Sequence, residues 1–256
     1  MNKRITGKYR PLIVAHRGAG DEAPENTRSA FDAALGYSVD GIEFDVRITR
    51  DGVPVIHHDR SLGQISGSRR KIESVFFSEL SQMDWGSWFS GKYKNERILT
   101  FEKTIDLYSK ITRLFIEIKS NEDDFLSETS RILALKVIET INKRVPYKYT
   151  GNIFILSFNL NILDFAHQKA SGLNYVFNLS GSSFKHPDYP SYLYGLCLPV
   201  CKLSESFTDK AEKGGYRILT YTCNTPEQVK KALEAGADVI MTDKPGWLCN
   251  YLTKSH

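Results

Sequence analysis

The chain has 256 residues, 41% of them hydrophobic, with 34 Lys and Arg against 30 Asp and Glu and a formal net charge of +4. This composition excludes disorder, collagen and coiled coil, and the length suits one α/β barrel or two smaller domains. The basic residues are scattered and Arg69-Arg70-Lys71 is the one short run, so it reads as a solvated loop and no nucleic-acid footprint is indicated.

From the N-terminus, Met1 to Tyr9 carries Lys3, Arg4 and Lys8 and leads only into Leu12-Ile13-Val14-Ala15 before His16. That apolar run is too short for a signal-peptide core or a spanning helix, so a cytoplasmic protein without stable membrane insertion is expected. Short runs rich in Val, Ile, Phe and Tyr then predict strands at residues 12–15, 41–46, 114–118, 152–157, 174–177, 194–198, 216–221 and 239–242. Amphipathic patterns between them predict helices at 27–35, 101–108, 130–142, 162–170, 204–213 and 226–235, with good caps at Thr27, Thr100 and Thr225-Pro226. Eight strands in this alternation predict a (β/α)8 TIM barrel, as one domain over residues 1–256. Residues 60–97 break the pattern and read as a small insertion after the second strand. Its aromatic residues, among them Phe76, Phe77, Trp85, Trp88 and Phe89, are expected to form a minicore of their own. Cys197, Cys201, Cys223 and Cys249 show no zinc spacing and read as free thiols.

In such a barrel the site lies at the carboxyl ends of the strands. The first strand ends in His16-Arg17, the second carries Glu43 and Asp45, and the third ends in Glu117-Ile118-Lys119. Glu43 and Asp45 share a strand face, as do Glu117 and Lys119. Asp51-Gly52, flanked by alternating apolar residues, predicts a hairpin with a two-residue loop. Pairing Arg50 with Val53 then sets His58 opposite Asp45 and turns His57 away, whereas a slip of one residue swaps the two histidines. The three carboxylates suit a hard divalent cation, Mg²⁺ or Ca²⁺. His16 and His58 suit general acid and base work, and Arg17 and Lys119 supply positive charge for a phosphate. Together these are the parts of metal-assisted phosphoryl transfer. Taken singly, each residue also has a bland reading: a core histidine, a surface ion pair, or, for Glu25-Asn26-Thr27, a helix cap.

The motifs also resemble those of the glycerophosphodiester phosphodiesterases. Val14-Ala15-His16-Arg17-Gly18 followed by Pro24-Glu25-Asn26-Thr27 resembles that family's opening blocks, and Gly41-Ile42-Glu43-Phe44-Asp45-Val46 with His58-Asp59 resembles its second. Ile116-Glu117-Ile118-Lys119, Ser157-Phe158-Asn159 and the run from Gly236 to Pro245 resemble later ones. The resemblance implies a TIM barrel, a divalent metal held by Glu43, Asp45 and Glu117, a catalytic pair His16 and His58, and phosphate contacts from Arg17 and Lys119. It also implies cleavage of a glycerophosphodiester to glycerol 3-phosphate and an alcohol. Tyr221-Thr222-Cys223-Asn224 departs from the family's Trp-Thr-Val-Asn, so Tyr221 is expected to keep a substrate-packing role with altered shape. The family's Arg-Thr-Thr is replaced by Gln64-Ile65-Ser66-Gly67, and its Pro-Thr-Leu-Glu by Leu99-Thr100-Phe101-Glu102. The expected partner is a small-molecule glycerophosphodiester, and the chain itself is expected to be a monomer or homodimer. The alternatives are a lysophospholipase D-like activity and a non-catalytic phosphodiester-binding barrel.

Overall fold

The computed structural model describes residues 10–120, 126–180 and 189–254. The strands are β1 (Leu12–His16), β2 (Gly41–Ile48), β3 (Pro54–Ile56), β4 (Arg113–Ile118), β5 (Ile153–Ser157), β6 (Asn174–Asn178), β7 (Leu193–Pro199), β8 (Arg217–Tyr221) and β9 (Val239–Thr242). All but β3 are parallel, and β1 pairs with both β2 and β9, which closes the ring into an eight-stranded barrel. The longer helices between them are α1 (Arg28–Leu35), α4 (Phe101–Tyr108), α5 (Glu128–Arg144), α6 (Leu160–Lys169), α7 (Glu205–Lys213), α8 (Pro226–Glu234) and α9 (Pro245–Lys254). Two single-turn helices, α2 (Gly63–Ser66) and α3 (Phe77–Leu80), lie between β3 and α4.

Strand alternation sorts the side chains. On β2, Ile42, Phe44 and Val46 point outward into the layer shared with the helices, where Phe44 meets Phe31 of α1 at 5.8 Å between ring centres. Inward positions form a separate apolar floor of Val14, Phe115, Phe154, Leu156, Val176, Cys197, Leu219, Val239 and Met241. Phe115 and Phe154 stack at 4.4 Å across its middle. Two helices show how sequence ends local structure: the Thr27 side chain accepts from Ala30 N at the start of α1, and Thr225 with Gln228 forms a reciprocal capping box on α8. Among the described residues no helix is long and apolar enough to cross a membrane.

The segment between β3 and α4 has its own core of Val55, Leu62, Ile72, Val75, Leu80, Trp85 and Ile98. The inset thus has a core of its own, but a mainly aliphatic one: of the aromatic residues expected in it, Trp85 belongs to it and Phe77 packs against it, while Phe76, Trp88 and Phe89 lie outside. Trp85 is the fully enclosed ring, and its indole N–H donates to Leu80 O. Phe76 is 47% exposed beneath the Arg50 guanidinium, and Trp88, Phe89 and Tyr93 contact one another in a row. So small an inset encloses one indole and leaves its other rings partly covered. It leans on the β1–α1 connection, where Tyr93 Oη donates to Glu22 O, and on the first turn of α1, where Glu96 accepts from Ser29 N.

Candidate active site at the carboxyl ends of the strands

The floor ends one layer below the strand ends, and the last inward positions are polar. Register places His16 beside Glu43 and Asp45 beside Glu117. Glu43, Asp45 and Glu117 are 2%, 1% and 7% exposed, and each offers an oxygen within 4.8 Å of the others. The connection after β1 wraps tightly over them. Arg17 and Asn26 take left-handed φ values of 57° and 58°, and Gly18, at φ 88°, lies where a Cβ would stand 2.7 Å from the Ala30 backbone. This turn aims Arg17 N at Glu43 Oε2 (3.1 Å) and the Asn26 amide at Asp45, with Nδ2 donating to Oδ2 at 2.8 Å.

Lys119 Nζ sits 2.7 Å from Asp45 Oδ1 and also pairs with Glu117. Arg17 Nε lies 3.2 Å from Asp45 Oδ2, and its Nη1 donates to Glu25. Burial alone pushes a carboxylate pKa up, but at Asp45 the two cations, Lys119 and then Arg17, outweigh it and hold the group well below the usual range. Glu43 is pushed up, first by burial and then by the Asp45 charge, and Glu117 is pushed up by burial despite Lys119. Both buried cations thus meet at Asp45, with Lys119 shared between Asp45 and Glu117, and no cationic side chain pairs with Glu43 among the described residues except His16 Nε2 at 3.9 Å. An all-oxygen cluster in that condition fits a hard divalent cation.

The two candidate histidines share one design. His16 Nδ1 is 2.7 Å from Asp243 Oδ1, and His58 Nδ1 is 2.8 Å from Asp59 Oδ1. A carboxylate can only accept, so each Nδ1 carries the hydrogen and each Nε2 is left for other partners. Burial lowers the His16 pKa, but the Asp243 hydrogen bond and the Glu43 charge exceed it and the net shift is upward. His58 is shifted down by burial, with Asp45 opposing and Lys119 and Arg17 assisting.

The hairpin register differs from the expected one. Val46 pairs with Ile56 and Ile48 with Pro54, and Thr49 N donates to Val53 O, so the loop has three residues, Arg50, Asp51 and Gly52. Gly52 at φ 77° supplies its left-handed position, while Thr49 Oγ1 donates to Asp51 and accepts from Val53 N. This loop is the common three-residue alternative to the two-residue turn. Asp45 therefore faces His57, whose N donates to Asp45 O. The His57 side chain nevertheless packs edge-on against Trp85 at 5.2 Å inside the inset. His58 follows the end of β3, where the ladder no longer dictates direction, and its ring lines the central cavity.

That cavity, of about 90 Å³, is bounded by His16, Arg17, Glu43, His58, Glu117 and Lys119 on its charged side. Leu156, Phe158, Cys197, Tyr221 and Met241, with the amide of Asn178, bound the rest. Tyr221 stacks toward His16 at 6.3 Å, and Phe158 stands edge-on to Tyr221 at 6.5 Å. All the residues singled out from sequence except Asp45 line this cavity, and Asp45 lies beneath it, bonded to Lys119. Sequence reasoning missed Asp59, Asp243, Asn26 and Asn178 as parts of the site. The first three sit inside motifs already quoted, next to a histidine, before a proline and at a helix entry. Asn178 carries no local signal. Asn224 likewise supports Asp243, donating through Nδ2 to Oδ2 at 2.6 Å.

The sequence pattern of the glycerophosphoryl diester phosphodiesterase family matches residues 16–247. A glycerophosphodiester phosphodiesterase of Caldanaerobacter subterraneus is 28% identical over 249 residues, covering 95% of this chain and 98% of that one. A lysophospholipase D of Mus musculus is 22% identical over 276 residues, covering 94% of this chain and 82% of that one. Among solved structures, an Oleispira antarctica phosphodiesterase in complex with the product sn-glycerol-3-phosphate superposes with a TM-score of 0.80 at 25% identity, over 92% of this chain and 94% of that one. With the match running from the first candidate histidine through the last strand, this chain belongs to the glycerophosphoryl diester phosphodiesterase family.

Proposed function

We propose that this protein is a metal-dependent phosphodiesterase that hydrolyses glycerophosphodiesters to sn-glycerol 3-phosphate and an alcohol. The observation that carries the reading is the pair of imidazoles, each tethered through Nδ1 to its own aspartate, lining one small cavity with a three-carboxylate cluster. Glu43, Asp45 and Glu117 would hold the metal, Mg²⁺ or Ca²⁺. When bound, such an ion polarises a phosphoryl oxygen as a Lewis acid. Arg17 and Lys119 add positive charge beside the phosphate and keep Asp45 ionised. Of the imidazoles His16 and His58, one takes the proton of the attacking hydroxyl as the new P–O bond forms, and the other gives a proton to the departing alcohol oxygen as the old P–O bond breaks. The attacker is water, directly or after the neighbouring glycerol hydroxyl has closed a cyclic phosphate. Tyr221 packs against the carbon part of the substrate. Residues 1–256 are read as one catalytic unit with an inset, and the free cysteines support a cytoplasmic setting.

A second reading, a lysophospholipase D-like activity, is favoured by the apolar wall of Leu156, Phe158 and Met241 and by the mouse relative. The test is release of glycerol 3-phosphate from glycerophosphocholine and glycerophosphoethanolamine, and of choline from lysophosphatidylcholine, with Mg²⁺, Ca²⁺ or EDTA. The expected result is release from the first two, dependent on metal and abolished in His16→Ala and Glu43→Ala. Choline release alone moves the assignment to the second reading, and no release from folded protein overturns both.

A further inference from the structure

The cavity is divided chemically, and one atom on its less polar side has an unmet demand. Asn178 is the last residue of β6, points inward, and pairs in register with Cys197 of β7. It is 3% exposed, and Nδ2 donates to Glu117 Oε2 at 3.2 Å. Its Oδ1 has no hydrogen-bond partner and no contact with solvent. A buried acceptor in that state is destabilising, and native proteins leave few such atoms without a reason. The amide orientation follows from its neighbour. Glu117 offers oxygens to cations and donors, so the NH₂ end of Asn178 faces Glu117 and the carbonyl end is turned away from it, enclosed in a residue that lines the cavity.

We propose that Asn178 is a specificity-determining residue whose Oδ1 accepts a hydrogen bond from a hydroxyl of the glycerol moiety; the inference rests on the phosphodiesterase reading. Charge complementarity draws the phosphate to the side bearing Arg17, Lys119 and the carboxylates. The carbon chain then lies along Leu156, Cys197 and Met241, where Asn178 supplies the one polar side chain lining that wall besides the Tyr221 hydroxyl. A carbonyl oxygen repels phosphoryl and ester oxygens, which are acceptors, and is satisfied by a hydroxyl, which donates. A small adjustment of the amide as the ligand enters brings the two together. Asn178 thereby selects a polyol phosphate over an alkyl phosphate of equal charge, because the alkyl chain leaves Oδ1 unpaired and sealed in.

Two ligands isolate this term: sn-glycerol 3-phosphate and n-propyl phosphate, which share a charge and differ in the two hydroxyls. Each is titrated calorimetrically into the metal-loaded wild type, Asn178→Leu and Asn178→Ala, with metal affinity measured on the same samples. The wild type is expected to prefer glycerol 3-phosphate by roughly ten- to a hundredfold. Both variants are expected to bring that ratio close to one while n-propyl phosphate binds as in the wild type. Asn178→Ala decides the matter if the bulkier leucine prevents folding. A preference that survives in the variants overturns the proposal. So does a parallel loss of n-propyl phosphate and metal binding, which would make Asn178 only a brace for Glu117. Wild-type protein that binds neither ligand overturns the phosphodiesterase reading along with it, so the two failures are distinguishable.

Discussion

The barrel interior has two storeys made by the same strands. In the lower one Val14, Phe115, Phe154, Val176, Leu219 and Val239 fill the space with apolar atoms. In the upper one, a single alternation further along, stand His16, Glu43, Asp45, Glu117, Asn178 and Tyr221. Each buried ring or branched chain below stabilises the fold by about 1.5–3 kcal/mol. Each carboxylate above opposes folding unless a cation accompanies it. The alternation of the strands fixes which residues point inward, and only the residue type at the last inward position separates scaffold from chemistry. Stability and activity should therefore respond to different substitutions on the same strand.

The largest effects test that separation directly. His16→Ala and His58→Ala are each expected to lower kcat by roughly 10²–10⁴-fold, the usual contribution of a general acid or base, with the melting temperature little changed. Phe115→Ala on β4, one inward position below Glu117, is expected to cost about 3–5 kcal/mol of stability. Urea unfolding beside steady-state kinetics checks both. A histidine variant that unfolds easily, or a phenylalanine variant that is stable but inactive, would break the two-storey account.

The upper storey also predicts how pH and metal act on stability. Burial raises the Glu43 pKa, with Asp45 adding to it. In chelator, the unfolded chain therefore releases the Glu43 proton at the ordinary glutamate pH while the folded chain still holds it. Stability is full below that pH and falls as pH rises from there through the raised folded value. Thermal unfolding in EDTA should show this slope, Glu43→Gln should flatten it, and Mg²⁺ or Ca²⁺ should offset it in the wild type but not in the variant. A wild-type slope unchanged by the substitution would mean that Glu43 is not the strained group.

The fold and the charged half of the site were readable because period-two alternation and strand-end position are local properties. His16, Glu43, Asp45, Glu117 and Lys119 all sit on or next to strands whose direction the pattern fixes. The hairpin shows where local reading stops. Asp-Gly signals a turn, but Thr49 bonding to Asp51 and Val53 decides that the loop has three residues rather than two. Asn178 was unreadable for a different reason. An asparagine ending a strand is ordinary until the barrel closes and brings it to Glu117, 61 positions away in sequence. The aromatic residues of the inset misled because their number said nothing about how few its small core encloses.

The adjacent histidines sharpen the comparison at a smaller scale. His57, buried beside Trp85, has its pKa lowered to about 4 by burial. A histidine with a depressed folded value contributes its stability above the unfolded value of 6.5, and that stability is lost as pH falls toward 4. The full shift corresponds to about 3 kcal/mol. His57→Gln should reduce the acid sensitivity in this window without changing kcat at neutral pH. Equal acid sensitivity in wild type and variant would place the proton elsewhere.

The smallest effects separate the two tethered imidazoles from each other. The Asp243 hydrogen bond leads the influences that raise the His16 pKa, and Asp59 raises that of His58 against the stronger effect of burial. Asn in place of either aspartate removes the charge and offers the imidazole an amide that can donate as well as accept, so the ring is free to carry its hydrogen on the other nitrogen. Each substitution is expected to lower kcat by roughly ten- to a hundredfold, the scale seen when an outer-shell partner that orients a metal-bound histidine is lost. Each should also move one limb of the pH–rate profile to lower pH, because a lost carboxylate always makes the imidazolium less stable. Since the acid and the base govern opposite limbs, Asp243→Asn and Asp59→Asn must shift different ones. The limb that follows Asp243 then identifies the role of His16, and movement of the same limb by both variants would mean that the two histidines do not act as an acid–base pair.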